Sequence, residues 1–335
     1  MTRHNFGAGK MSLGCALGTV LVLGTSAVAL AQAHDRAVAY PSKPVRWLIP
    51  FAPGGGTDMV ARPIAHKFTE RLGQQVIYDN RGGGGGTIAG EIAARAAPDG
   101  YTLLIGAVAV MTVNSSLMKQ PFDPLKDFTP ITKFAAVPNM LAARSGIALQ
   151  KVQDIVSFAQ ANPGKLRWAL SGPGSAGTLS MELLRLNTKI NVIPIPYKGA
   201  GPAMIAVVSN EADLMFANPA VFMPHIQGGR LRALATASMQ RIAALPDMPT
   251  FHESGFANFE SLSWYGPLAP TGTPQSIIHL LHKEFTAILK LPDIIARITQ
   301  DGGMPIGNTP QEYARELREE TAKWARVIRE ANIKL

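Results

Sequence analysis

Three stretches of the chain set glycines and hydroxyls where an apolar run gives way to a helical pattern. They are Pro53-Gly54-Gly55-Gly56-Thr57-Asp58, Asn80-Arg81-Gly82-Gly83-Gly84-Gly85-Gly86-Thr87 and Ser171-Gly172-Pro173-Gly174-Ser175-Ala176-Gly177-Thr178. Glycine accepts positive φ and has no Cβ, so a ligand can approach the main chain closely. At a helix start the free N–H groups point at that ligand, and the positive end of the dipole favours an anion. The chemistry such turns support is therefore non-covalent anion binding. One turn alone is weak support, because a tight strand-to-helix connection needs glycine with no ligand present. Three in one chain point to a composite site. A helix terminus contributes only about 0.3–2 kcal/mol, whereas micromolar binding needs about 8 kcal/mol. Several charge-assisted hydrogen bonds of roughly 1.5–3 kcal/mol each must act together.

Other chemistries fit the same residues less well. Gly84-Gly85-Gly86-Thr87-Ile88-Ala89 has the G-x-G-x-x-A form of a dinucleotide turn, but no acidic residue follows at the distance a ribose contact needs. A G-x-x-x-x-G-K-[ST] phosphate loop is absent from the sequence. Around Ser175, Pro173 replaces the first glycine of a G-x-S-x-G nucleophile elbow. A secreted serine hydrolase using Ser175 is the alternative reading, with His225 and His252 as candidate bases that no spacing ties to it. His66, His225, His252 and His282 lack metal-ligand spacing. No cofactor and no metal are expected.

The elements that must position these turns follow from hydrophobic period. "PVRWLIPF", "QQVIYDN", "YTLLIGAV", "LRWALSG", "NVIPIPY", "ADLMFAN" and "LRALATAS" read as strands, with helical patterns between them. Alternation of this kind predicts an α/β fold around mostly parallel sheet. The helix from about Asp58 to Leu72 should be kinked by Pro63 or confined to its later turns. From Pro274 onward three helical segments close the chain. No Gly/Ser linker separates two halves. Two crossings are expected instead, through "FTPITKFAAVPNMLAAR" and through the stretch that ends in "SWYGPLAP", so that the first lobe combines an early segment with the C-terminal tail.

Residues 1–33 read as a secretory leader: Arg3, His4 and Lys10 precede an apolar run from Met11 to Leu30, and cleavage is expected after Ala31 or Ala33. The leader would carry off Cys15, the sole cysteine, and with it thiol and disulfide chemistry. The net charge of +9 for the chain becomes +7 for 30 basic against 23 acidic residues. Without an aromatic and basic cluster this does not indicate nucleic-acid binding. A soluble, exported monomer is expected.

Taken together, "YPSKPVRWLIPFAPGGGTDMVAR", "NRGGGGGTIAGEIAARAAPDGYTLLIG", "PYKGAGPAMIAVVSNEADLMFAN", "GGRLRALATAS", "ALPDMPTFHESG" and "SWYGPLAPTGTP" resemble the Bug/TctC receptors of tripartite tricarboxylate transporters. The resemblance spans residues 40–335. It implies a two-lobed periplasmic-binding-protein-like α/β fold, with lobe 1 formed by residues 41–140 plus 253–335, lobe 2 by residues 141–252, and two crossing strands at the hinge. It also implies a periplasmic solute-binding receptor that closes on a small carboxylate and delivers it to a two-component inner-membrane permease, or serves as an orphan carboxylate sensor. By the same resemblance the ligand contacts fall at Phe51, Ala52, Gly54, Gly55, Gly56, Thr57 and Asp58, with Ala107 and Val108 at a strand end. In the second lobe they fall at Ser171, Gly174, Ser175, Ala176, Gly177 and Thr178, at Tyr197, Gly199 and Ala200, and at Ala217 and Asn218. Asp58 also suits a helix cap, the favoured role, and Trp47, Trp168 and Trp264 suit packing. Family members often carry His at the position of Thr178 and Asp at that of Ala217. Without that acidic group the expected ligand is a mono-, di- or aromatic carboxylate lacking an amine.

Overall fold

The computed structural model describes residues 40–333 except 52, 54, 55, 173 and 198, so the leader expected over residues 1–33 lies outside the described residues. The chain divides into two units, Met1–Ser42 and Lys43–Leu335, and all the described elements fall in the second.

A first sheet has the strand order β12-β5-β11-β3-β1-β2, with β4 also paired to β11. Its strands are β1 (Val45–Ile49), β2 (Val76–Asn80), β3 (Thr102–Ala107), β4 (Phe128–Pro130), β5 (Ala135–Pro138), β11 (Leu262–Pro270) and β12 (Met304–Pro305). β1 runs parallel to β2 and β3, but β11 is antiparallel to β3, β4 and β5, and β12 to β5. A second sheet has the order β10-β6-β9-β7-β8. It is built from β6 (Met140–Arg144), β7 (Arg167–Leu170), β8 (Ile193–Pro196), β9 (Leu214–Ala217) and β10 (Leu231–Thr236). Here β7 is parallel to β8 and β9, while β6 is antiparallel to β9 and β10. Both sheets are therefore mixed rather than mostly parallel. In each sheet the strand that arrives from the other, β11 in the first and β6 in the second, runs against its neighbours.

The helices are α1 (Gly56–Leu72), α2 (Thr87–Ala94), α3 (Asn114–Leu117), α4 (Val152–Ala161), α5 (Ala176–Thr188), α6 (Ala200–Val208), α7 (Pro219–Gln227), α8 (Gln275–Leu289), α9 (Pro292–Gln300) and α10 (Pro310–Glu330). α1 starts at Gly56 and passes through Pro63, so its regular part is not confined to the later turns. A π-helical segment, Ala109–Val113, leads straight into α3. On one face of the first sheet Trp47 meets Phe68 of α1 and Phe285 of α8, with Phe134 against both Trp47 and Phe285. Pleating sends neighbouring residues to the other face. There Gly106 backs onto Met111, and Gly266 onto Tyr313 of α10.

The second sheet is covered on both faces, and its strands show it. Leu141, Ala143, Trp168, Leu214 and Phe216 enter one apolar cluster, whereas Met140, Ala142, Ala169, Met215 and Ala217 enter the other. Strands buried on both sides read as continuous apolar runs, which is the pattern seen in "ADLMFAN". Its edge strand β8 takes Ile193 N–H to Leu166 O at 2.7 Å and Tyr197 N–H to Leu170 O at 2.9 Å. Odd positions thus face β7, and Pro194 and Pro196 face away from the sheet.

The two crossings run side by side. Leu262 pairs with Pro138. Next to that pair Asn139 N–H donates to Ser261 O at 3.0 Å, Asn139 Nδ2 donates to the same oxygen at 3.1 Å, and Ser180 Oγ of α5 reaches Ser261 Oγ at 2.8 Å. All three polar residues are buried. Burying such groups is tolerable because they satisfy one another.

Candidate functional site

The first turn leaves β1 at Pro50 and enters α1 at Gly56; Ala52, Gly54 and Gly55 lie outside the described residues. Two contacts hold it against the second glycine turn. Asn80 Nδ2 donates to Phe51 O at 2.9 Å, and a Cβ on Gly86 would stand 2.8 Å from Pro50 Cβ, so only glycine permits that approach. Gly86 has φ +97° and starts α2 with no side-chain cap. Gly56 lies against the hydroxyl of Tyr265, which is buried in β11 opposite Ala107. Burial pushes the Tyr265 phenol up to about 12, against an opposing pull from Ser263. It is a neutral O–H at every physiological pH. Thr57, Ala107 and Val108 are buried nearby. The Val108 carbonyl is taken by Thr112 Oγ1 at 2.7 Å.

Asp58 is not the cap of α1. The helix begins two residues earlier, and the carboxylate turns to Arg62 at i+4, 3.0 Å away. It also faces Tyr78, whose phenol is pushed well up by burial and then by this neighbouring charge. An acid in the first turn still favours the dipole, but its charge is engaged inside the first-sheet body.

In the third turn Ser175 caps α5, accepting from Thr178 N–H at 3.3 Å. Ser171 Oγ donates to Ser175 Oγ at 2.9 Å, Ser175 Oγ to Thr178 Oγ1 at 3.0 Å, and Thr178 Oγ1 to Gly172 O at 2.8 Å. This chain of hydroxyls ends on a carbonyl. Its Ser175 has no imidazole partner among the described residues. A cap on Thr178 N–H satisfies one of the four orphan donors of a helix start, and the amides of Ala176 and Gly177 precede it. A Cβ on Gly177 would meet Phe216 O at 2.3 Å, so α5 docks on β9 only with glycine there.

Tyr197, Ala200 and Ala217 join one apolar cluster with Ala169, Met215 and Phe222. Gly199 opens α6 with φ +122° and no side-chain cap. Asn218 opens α7, also without a side-chain cap bond. Its Nδ2 is buried and has no hydrogen-bond partner among the described residues. Trp47, Trp168 and Trp264 are fully buried packing residues, as expected.

The second and third turns meet at a residue the glycine pattern does not reveal. Asn114 is buried, its Nδ2 donating to Gly85 O at 3.0 Å. A Cβ on Gly174 would lie 3.1 Å from Leu117 Cδ1, 3.2 Å from Val113 Cγ1 and 3.5 Å from Asn114 Oδ1. The three junctions are thus linked in series: the first to the second through Pro50 and Asn80, the second to the third through Asn114. Tyr265 and Asn114 escaped the sequence search because neither sits in a glycine run. The signal available for Asn114 was its place just after the strand end at Ala107-Val108. Among the described residues there is no group of three His, Cys, Asp or Glu side chains arranged to hold a metal ion, and no helix is long and apolar enough to cross a membrane.

Residues 60–333 match the model of the tripartite tricarboxylate transporter family receptor. The chain belongs to that family. The receptor is similar to the periplasmic binding protein BugD, at 34% identity and a TM-score of 0.78 over 88% of this chain and 99% of that one. It is equally similar to a protein of R. palustris solved with adipate, at 34% identity, a TM-score of 0.82 and the same coverage. MatC from Rhodopseudomonas palustris, solved with malate, is 32% identical with a TM-score of 0.78, covering 86% of the receptor and all of MatC. The two sheets are accordingly the two lobes of a periplasmic binding fold. The receptor acts by binding solute in the periplasm and is not an enzyme, which removes the hydrolase reading of Ser175.

Proposed function

We propose that the receptor captures a small mono-, di- or aromatic carboxylate between its lobes and delivers it to a two-component inner-membrane permease. The observation that carries this reading is the serial contact of three glycine junctions from two lobes through Phe51, Asn80, Gly85, Asn114 and Gly174. A carboxylate seated there accepts from the amides of the first turn, at Gly54, Gly55 and Gly56, from those of Ala176 and Gly177 at the start of α5, and from the hydroxyl of Thr57, while Ser171 and Ser175, whose protons serve their own hydroxyl chain, hold the third turn in shape. Phe51, Ala52, Ala107, Val108, Tyr197, Gly199 and Ala200 shape the walls. The adipate and malate of the similar structures support the ligand class. The lobes are the bodies of the two sheets, parting at the crossings near residues 140 and 252–261 and hinged at Asn139 and Ser261, and the leader is cleaved after Ala31 or Ala33.

Specificity turns on the end of β9. The methyl of Ala217 provides no anion for a ligand ammonium, and the neighbouring buried Nδ2 of Asn218 is a donor in need of an acceptor. Leaving a buried donor unsatisfied costs about 1–3 kcal/mol, so an anionic or hydroxyl oxygen suits the place and an amine does not. Calorimetry with adipate, malate, benzoate, aspartate and glutamate tests this. Micromolar binding of one of the first three is the expected result. Tight aspartate or glutamate binding with no response to the amine-free acids would overturn the specificity, and no binding of any would overturn the proposed ligand class.

A further inference from the structure

Lobe closure in this receptor needs a surface on which the third turn lands, and the structure offers one. Gly174 has φ +68°, a conformation that side chains other than glycine's rarely accept. Any Cβ there would come within 3.1 Å of Leu117 and 3.2 Å of Val113, with Asn114 Oδ1 beside it at 3.5 Å, so this segment of the first lobe, Ala109–Leu117, closes the space next to the glycine. That segment begins as a π-helix, an unusual local winding that tends to mark functional places in helices. Asn114 is bound on its other side to Gly85 O. A Cβ on Gly85 would stand only 2.9 Å from Asn114 Nδ2, so the amide is wedged against that turn as well as tied to it.

We propose that Val113, Asn114 and Leu117 form the latch of the closed state: Gly174 seats on them, and Asn114 passes that seating on to the Gly85 turn. The inference rests on the two-lobe binding reading above and assigns its closure contact to particular residues. When the lobes part, the contact of Gly174 with Val113 and Leu117 is lost. The Asn114 to Gly85 bond, internal to the first lobe, survives but loses its cover and becomes accessible to water. The second glycine turn is therefore set firmly only when the third is seated, which couples the two halves of the site. Asn114 acts here as a positioning residue and not as a ligand contact. A ligand stabilises the closed state only to the extent that it binds that state better. Loosening the latch should therefore raise the ligand concentration needed for closure without changing the closed form reached at saturation.

The test uses cysteines introduced at the exposed positions Gln150 and Lys290, labelled as a donor–acceptor pair across the lobes and titrated with adipate and malate. Asn114→Ala and Gly174→Ala are compared with the parent. Each is expected to raise the closure midpoint about tenfold, equivalent to about 1.4 kcal/mol, with an unchanged plateau distance and no larger closed fraction before ligand is added. Asn114→Asp, which keeps the size but replaces the donor amide with an acceptor, should resemble Asn114→Ala. Parent-like midpoints and ligand-free distances in both Asn114→Ala and Gly174→Ala would overturn the latch, even if melting temperatures fell, because a purely structural role moves stability without moving closure. If the parent itself responds to neither acid, these two ligands fail while the ligand class is left to the calorimetry above, and the latch is judged on the ligand-free distance distribution alone. A shift of the variants toward longer distance supports it and identity with the parent sinks it.

Discussion

A methyl group placed on Gly56 would stand 2.2 Å from the Tyr265 hydroxyl oxygen and 3.0 Å from Cζ. Relaxed contact needs about 3.5 Å, so either the ring or the start of α1 must yield by roughly 1 Å. The ring has little room, because Tyr265 is only 6% exposed on a strand paired with β3 on one side and β5 on the other. Overpacking of this kind costs about 1–3 kcal/mol. The restricted unfolded chain returns about 0.4–1 kcal/mol of that for Gly→Ala where the backbone allows it. Gly56→Ala is therefore expected to lose about 1–2 kcal/mol net, which for a domain of this size lowers Tm by roughly 2–8 °C. Tyr265→Phe removes the atom at 2.2 Å and leaves the one at 3.0 Å, so in its background the same alanine should cost about 1 kcal/mol less. Denaturant melts of the four proteins close the cycle, and adipate titrations run beside them report whether the first turn has moved. If Gly56→Ala proves as stable as the parent, or if the two substitutions simply add, Tyr265 is not the wall that fixes this turn.

Further expectations concern both lobes. Gly177→Ala meets a backbone oxygen, Phe216 O, at 2.3 Å; no side-chain truncation can relieve it, so it should destabilise by at least about 2 kcal/mol in denaturant melts. Burial raises the Asp213 carboxyl, but hydrogen bonds from Arg167 and Arg144 outweigh this and hold it below the usual range. A depressed folded pKa gives stability above the unfolded carboxylate value of about 3.9 that disappears as pH falls through the folded one. Asp213→Asn should accordingly cost about 2–3 kcal/mol at pH 7 and show a shallower loss in acid melts than the parent. The Glu320 carboxyl, which accepts from Trp264 Nε1, is pushed up by burial despite Lys133. Its contribution is present at low pH and lost as pH rises through the folded value. Glu320→Gln should gain stability relative to the parent as pH rises through the folded value of Glu320, and equal pH slopes in the two proteins would refute it.

The alternation of strands and helices was legible because both sheets bury apolar residues at clear periods: Val60, Ile64 and Phe68 every fourth position on α1, and the unbroken apolar run of β9 between two cores. Strand direction was not legible. A crossing segment such as "FAAVPNMLAAR" has the composition of any buried strand, and its antiparallel pairs, β5 with β11 and β12 and β6 with β9 and β10, depend on where distant parts of the chain return. The glycine turns announced themselves through missing side chains, and their neighbours did not. Tyr265 and Asn114 are ordinary residues far along the chain whose importance lies in how little space they leave around Gly56, Gly85 and Gly174. Asp58 misled for a local reason: an acid near a helix start caps when it is the first residue, but two positions further in it pairs with the arginine one turn below.

The outer rim of the second sheet is chemically one-sided. On β8 the two positions turned away from β7, Pro194 and Pro196, carry carbonyl oxygens and no N–H. An incoming chain could donate to that rim but would be offered no hydrogen in return, so half of any new ladder would go unpaired. Ile193, though 44% exposed, is thereby kept from serving as the sticky end of a growing fibre. These two imino acids are thus the fold's own barrier to polymerisation.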